Sequence, residues 1–448
     1  MNILDKVITR KTFSLCSEGV SMLPILHPGD IITYNKIRFP QCKTNDVILI
    51  KQNKKLFAHR VIYKARNYLI TKGDNNLQAD KRVYPHQIIA KVIQVKRNGK
   101  LFNPNDIYLY QSTFYFQEIV KIKKELERKK IDFVFLKGLP LHLHFGEEHQ
   151  HRIYADCDVL VNKKETLQVR QIFLKNGYKE LSQSLSKTHD TLRRKTVEIS
   201  YSKLLHGFNV IFDIHFEIDW MSPQLWRLDA FYPQNLLDQL TNEFLTSKKT
   251  VTIQGSTFHL LPSTLQIVYL ALHFFHHNFN GVFRLELLDK IVRSCHLERG
   301  ERSRPIGRTR FARFLSRSSF EMTGWGQIAQ IVTNYRLQNF VYPVFLLLKK
   351  YYKTPIPVSF FKSIQPINSL ILKLVNSLTK TNIFNDEPRI TAGIRRFQNL
   401  FWLSPEPLWR KLFVFVNPQV VYTIIWLVVR RLKGLRVIKL KKLEDLKF

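Results

Sequence analysis

The sequence predicts a multidomain chain: an all-β unit, then an α+β unit, then an α-helical region. Three observations carry this. Short apolar runs separated by turn signals fill Phe13–Val95. Helix-period and strand-period patterns alternate from Tyr110 to Ile218. From Pro262 onward the patterns are mostly helical. The expected boundaries are 1–103, 108–255 and 256–448, and 448 residues are more than one compact domain usually holds.

In the first unit the turns are HPGD (His27–Asp30), KTND (Lys43–Asp46), KGDNN (Lys72–Asn76) and RNGK (Arg97–Lys100). Between them run DVILIK and QIIAKVIQVK, which read as strands. The second unit opens with a helical pattern, Tyr110 to about Lys130. Strand IDFVFLKG, a helix from Leu139, strand DCDVLV and a helix near Lys164–Asn176 follow. A hairpin-like pair, TVEISYS and FNVIFDIHFEI, closes it. The third region carries LQIVYLALHFFHH and RLELLDKIVRS. An Arg- and Ser-rich stretch interrupts it near 296–322 and reads as an inserted, exposed loop.

Composition narrows the classes. Hydrophobic residues at 45% and charged residues at 23% exclude disorder for most of the chain. Four cysteines (Cys16, Cys42, Cys157 and Cys295) match no zinc or disulfide framework, which fits a reducing, cytoplasmic compartment. The net charge of +35 favours phosphates, nucleic acid or an anionic membrane surface, or else is spread over solvated faces. Met1–Arg10 has no apolar core, so no secretory signal is expected. Leu412–Val429 carries no charge but is interrupted by Asn417, Pro418 and Gln419. Two packed helices, peripheral to any membrane, are expected there in preference to a span.

Two constellations carry chemistry. The first is a serine with a base. A hydroxyl needs an adjacent base to attack at neutral pH, and the base needs an orienting acid. GVSMLP puts Ser21 on a tight turn, FAHRV puts His59 near a strand pair, and KGDNN…AD offers Asp74 and Asp80. The second is acidic. Asp156 and Asp158, two apart on a strand, share a face. Asp213 comes from a later strand, with His215 on its face. Such clusters hold the divalent ions of nucleotidyl transfer. His273, His276 and His277 have a spacing that suits a metal, and equally a polar helix face.

The linked motifs GxSMxP, PGD, HR and KGDNN resemble signal peptidase of the archaeal and endoplasmic-reticulum type. That resemblance implies a serine peptidase fold, with Ser21 as nucleophile, His59 as base and Asp80 as third acid, Asp74 being the alternative. Typical members carry a membrane anchor before the nucleophile, and no such run precedes Ser21 here. A soluble relative, nearer in use to LexA-type self-cleaving peptidases, is implied, with a peptide or protein as substrate. The pattern LKG, Arg152, DCDVLV and DIHFEIDW resembles an uncharacterised bacterial nucleotidyltransferase family related to polymerase-β enzymes. It implies that Asp156, Asp158 and Asp213 ligate two Mg²⁺ ions, and that Lys137, Gly138 and Arg152 approach an NTP triphosphate.

The expectation is a bifunctional enzyme, a serine endopeptidase that also transfers NMP to an acceptor. Two alternatives stay open: a peptidase with a nucleotide-sensing module, and a basic, non-catalytic protein that binds nucleic acid or a membrane surface.

Overall fold

The computed structural model describes residues 10–23, 25–52, 55–104, 106–145, 154, 156–181, 197–205, 208–218, 220, 230–300, 324–380, 382–385, 389–416, 425 and 429. Arg152 and the Arg-rich stretch from 301 to 323 lie outside them. The chain has a β-rich N-terminal part, a mixed α/β part and a helical C-terminal part.

The first sheet holds β1 (Thr12–Cys16), β2 (Ile31–Lys36), β3 (Val47–Gln52), β4 (Lys55–Lys64), β5 (Leu69–Lys72), β6 (Ile88–Arg97) and β7 (Lys100–Phe102). Their order is β1-β2-β6-β3-β4-β5, with β7 on β6, and every pairing is antiparallel. The run VILI of β3 is apolar throughout because both faces of this strand are covered. Val47 and Leu49 join one core, and Ile48 and Ile50 join another.

The second sheet runs β10-β11-β12-β9-β8-β14-β13. Its strands are β8 (Phe133–Lys137), β9 (Cys157–Val161), β10 (Lys179–Glu180), β11 (Glu198–Leu205), β12 (Phe208–His215), β13 (Lys249–Ile253) and β14 (Ser256–Leu260). β12 is parallel to β9 and β14 is parallel to β8, while the other pairs are antiparallel. β9 is buried along its whole length and β8 at all but Lys137, so both sit at the centre of the sheet. The sheet continues to Leu260, five residues beyond the expected end of the core.

The helices of this part are α1 (Asp106–Arg128), α2 (Leu139–Phe145), α3 (Thr166–Lys175) and α4 (Gln234–Thr246). α1 packs on α3, and α4 lies against β8. The helical region follows with α5 (Ser263–His276), α6 (Val282–Gly300), α7 (Gly324–Asn334) and α8 (Gln338–Tyr352). It goes on with α9 (Val358–Ile364), α10 (Ser369–Leu378), α11 (Arg389–Leu403) and α12 (Leu408–Val416). α5 packs on α6, α7 and α8. The helix α6 continues to Gly300, so the first residues of the expected Arg-rich loop are helical. Among the described residues no helix is long and apolar enough to cross a membrane.

One core spans the α/β and helical parts, and it takes in Tyr63 and Ile70 of the first sheet. The Tyr63 ring meets Tyr351, Tyr352 and Phe384, and its hydroxyl donates to the Tyr351 carbonyl at 2.7 Å.

Candidate functional site

The acidic cluster follows from strand register. Residues that face each other on neighbouring strands project to the same side. Lys137 on β8 stands opposite Asp158 on β9, Asp158 opposite Asp213 on β12, and Asp213 opposite Ser200 on β11. Four polar side chains therefore form a row across four strands. Two residues along β12 and β11, the pair His215 and Glu198 repeats the arrangement. Asp156 lies just before β9 and two residues from Asp158, on the same face.

The contacts are close. Lys137 Nζ is 3.0 Å from Asp156 Oδ2 and 2.9 Å from Asp158 Oδ2. His215 Nε2 is 2.9 Å from Asp158 Oδ1, and the Ser200 hydroxyl donates to Asp213 Oδ1 at 2.6 Å. Oxygens of Asp156, Asp158 and Asp213 lie within 4.8 Å of one another. Gly138 has φ of +104°, and a Cβ there would come within 3.1 Å of Cys157 Cα and 3.2 Å of the Asp156 carbonyl. Only glycine lets the chain leave β8 this close to the acidic strand.

Charge in this row is unevenly balanced. Burial opposes ionisation of Asp158, but Lys137 and His215 outweigh it and hold its pKa below the usual value. Burial also opposes the His215 charge, yet the bond to Asp158 and the nearby Glu198 raise its pKa to about 9. Asp213 goes the other way. Burial first, then repulsion by Asp158 and Glu198, lifts it to about 7. Carboxylates crowded to this degree suit a divalent cation, which would relieve their repulsion. The donor set, all oxygen, fits Mg²⁺.

The serine constellation also assembles. His59 on β4 places Nε2 3.0 Å from Ser21 Oγ and Nδ1 2.6 Å from Asp80 Oδ2. Thr71 on β5 donates its hydroxyl to the same Asp80 oxygen at 2.7 Å. Asp74 is not on His59. Its two oxygens take the Arg60 guanidinium at 2.7 and 2.6 Å, a planar fork that fits a carboxylate. Arg60 donates further to the Asn45 carbonyl, so Arg60 ties the turns at 45 and 74 together.

The profile of the family described as "Uncharacterised nucleotidyltransferase" matches residues 105–353, more than half of the chain. The chain belongs to that nucleotidyltransferase family. No curated protein and no solved structure matches it.

The nucleotidyltransferase match begins one residue before α1 and ends one residue after α8. It therefore contains Lys137, Gly138, Asp156, Asp158 and Asp213, which the fold brings together, and α5 with His273 and His276, followed by His277. His273 and His277 are pressed well below the usual histidine range, and His276 to about 3, by burial first and then by nearby cations. Those cations include Lys137, Arg284 and Arg396, so the imidazoles stay neutral. Among the described residues they form no metal group with the carboxylates.

Some residues of these sites had escaped the sequence reading. Ser200 and Glu198 were invisible because their place depends on the β11–β12 register. Thr71 and Gly73 serve the serine site. A Cβ on Gly73 would fall 2.6 Å from the Ser21 carbonyl and 3.0 Å from His59 Nε2. Asn75 donates its backbone N–H to that carbonyl at 2.8 Å and its side-chain amide to the Val20 carbonyl at 3.2 Å. Gly73 and Asn75 lie inside the KGDNN turn, but nothing in its residues shows that they meet Ser21.

Proposed function

We propose that the chain transfers a nucleoside monophosphate from an NTP to an acceptor, with Mg²⁺ held by Asp156, Asp158 and Asp213. The observation that carries this reading is the 4.8 Å cluster of three carboxylates inside the nucleotidyltransferase match. Bound Mg²⁺ would offset triphosphate charge and favour the ionised form of the attacking hydroxyl. Lys137 adds a cation at the same edge, and Gly138 leaves room for phosphate to approach the backbone. Arg152 belongs to the same proposed triphosphate grip. His215 orients Asp158 and Ser200 orients Asp213, so neither carboxylate has to be reordered when the substrate arrives.

The test is transfer from labelled NTPs, with Mg²⁺ and with EDTA. Asp156→Asn should lower it by at least ~100-fold, the scale on which lost transition-state charge partners act. Equal transfer by Asp156→Asn, or full transfer in EDTA, would sink the proposal.

A second activity is favoured by the Ser21–His59–Asp80 geometry: serine-type peptide hydrolysis. His59 Nε2 takes the Ser21 proton as Oγ attacks, and Asp80 holds the imidazole by its Nδ1–H. Backbone N–H groups near Ser21 are the expected oxyanion donors. A fluorophosphonate probe reports this site directly. The Ser21 oxygen bonds phosphorus, fluoride leaves, and the proton passes to His59. Ser21→Ala should lose labelling altogether, and a variant that labels as fast as wild type would remove the reading.

A further inference from the structure

The loop that delivers Asp80 is anchored from the far end of the chain. Asp80 donates its backbone N–H to the Thr71 carbonyl at 2.8 Å, within the first sheet. The neighbouring backbone N–H, that of Ala79, donates instead to Asn385 Oδ1 at 3.0 Å. Asn385 lies beyond α10, 306 residues away along the chain. The loop is at the surface here, with Leu77 54% exposed. Water could serve an N–H at such a surface loop. A side chain from another part of the fold fixes it in one place.

The two residues before Asn385 are packed in place. Ile383 is fully buried, and its carbonyl accepts the Gly281 N–H at 3.1 Å. Phe384 places its ring 5.2 Å from Tyr63 and 5.5 Å from Tyr351. The segment 382–385 is therefore wedged between the first sheet and the turn that follows α5.

We infer that Asn385 is a positioning residue for the serine site, acting through Ala79 on the placement of Asp80. The inference rests on the serine-peptidase reading of Ser21. Its chain of contacts is short: Asn385 to Ala79, Asp80 beside it, Asp80 to His59, His59 to Ser21. A carboxylate displaced by an ångström no longer orients the imidazole, and errors of that size cost up to ~100-fold in rate. The site in the first sheet is thus completed by the C-terminal region.

The experiment measures the second-order rate of fluorophosphonate labelling in the full chain, together with the thermal midpoint. Wild type, Ser21→Ala, Asn385→Leu and Asn385→Asp are compared. Asn385→Leu removes the acceptor at similar volume and should slow labelling by about 10-fold or more. Asn385→Asp keeps an acceptor oxygen and should restore the rate to within about twofold, a rescue that a merely space-filling role would not produce. Labelling of Asn385→Leu at the wild-type rate, with Ser21→Ala unlabelled, overturns the inference and leaves the peptidase reading standing. Equal slowing of Leu and Asp variants also overturns it. Labelling that persists in Ser21→Ala, or none in wild type, removes the reading and the inference with it.

Discussion

At the scale of single residues, two glycines govern the two sites for different reasons. Gly138 needs its backbone conformation, φ of +104°, as well as the space. Gly73 is not in the left-handed region, and its constraint is steric alone: the Ser21 carbonyl at 2.6 Å and His59 Nε2 at 3.0 Å. Gly73→Ala should therefore act on the serine site more than on the fold. The expected outcome is labelling slowed at least ~10-fold, with an overpacking cost of about 1–3 kcal/mol. Labelling rate against thermal midpoint separates the two. The residues that the fold groups at the two proposed sites were legible, because Ser21, His59, Asp80 and the three aspartates sit in linked motifs. Their supports were not. Thr71, Gly73, Ser200 and Glu198 matter through neighbours that only folding supplies. Asp74 illustrates the limit, since sequence distance alone could not tell the acid on His59 from the acid on Arg60.

At the scale of elements, α5 carries a pH liability. His276 titrates near 3 when folded, because burial and then Arg396, Lys137 and His215 disfavour its charge. His273 and His277 shift in the same direction. In the unfolded chain each would take a proton near its ordinary value of about 6.5. Below that pH the unfolded state binds more protons than the folded one, so stability falls as pH drops from about 6.5 towards 3. The thermal midpoint should decline between pH 7.5 and 5, and His276→Gln should decline less. An unchanged slope would show that His276 does not stay neutral in the fold.

The strands of the first sheet were readable from apolar runs between turn signals, and β8 and β9 from their unbroken apolar character. The hairpin β13–β14 was passed over. Its turn, Gln254–Gly255, has φ of +47° and +76°, the two positive values a two-residue hairpin asks for. Glutamine is not a usual residue there, and the strands KTVTI and STFHL are half polar. The parallel placement of β14 beside β8, with Leu260 opposite Phe135, has no local signature at all. The helical character of residues 296–300 was hidden in the same way, because a charged composition reads as a loop when no apolar period runs through it.

At the scale of the whole molecule, the order of parts was visible as changes in hydrophobic period, from two in the first sheet to mixed, and then to the helical repeat. The union of those parts was not. Tyr63 reaches a carbonyl 288 residues away, and no periodicity encodes such a contact. Nor does the net charge of +35 say where it acts, since part of it is spent internally. Arg60, Lys91 and Arg97 are each paired with an aspartate in the first sheet, and Lys137 with two in the second.

The placement of Tyr63 and Ile70 in the large core has a practical consequence. A boundary drawn after Phe102 looks clean along the chain, where one sheet ends and α1 begins. In space it is no seam. A fragment cut there would carry Tyr63 and Ile70, now only 8% and 6% exposed, as a raw apolar face open to water. Such a face is the kind that drives self-association. The first sheet is better regarded as one wall of a shared interior than as a removable module.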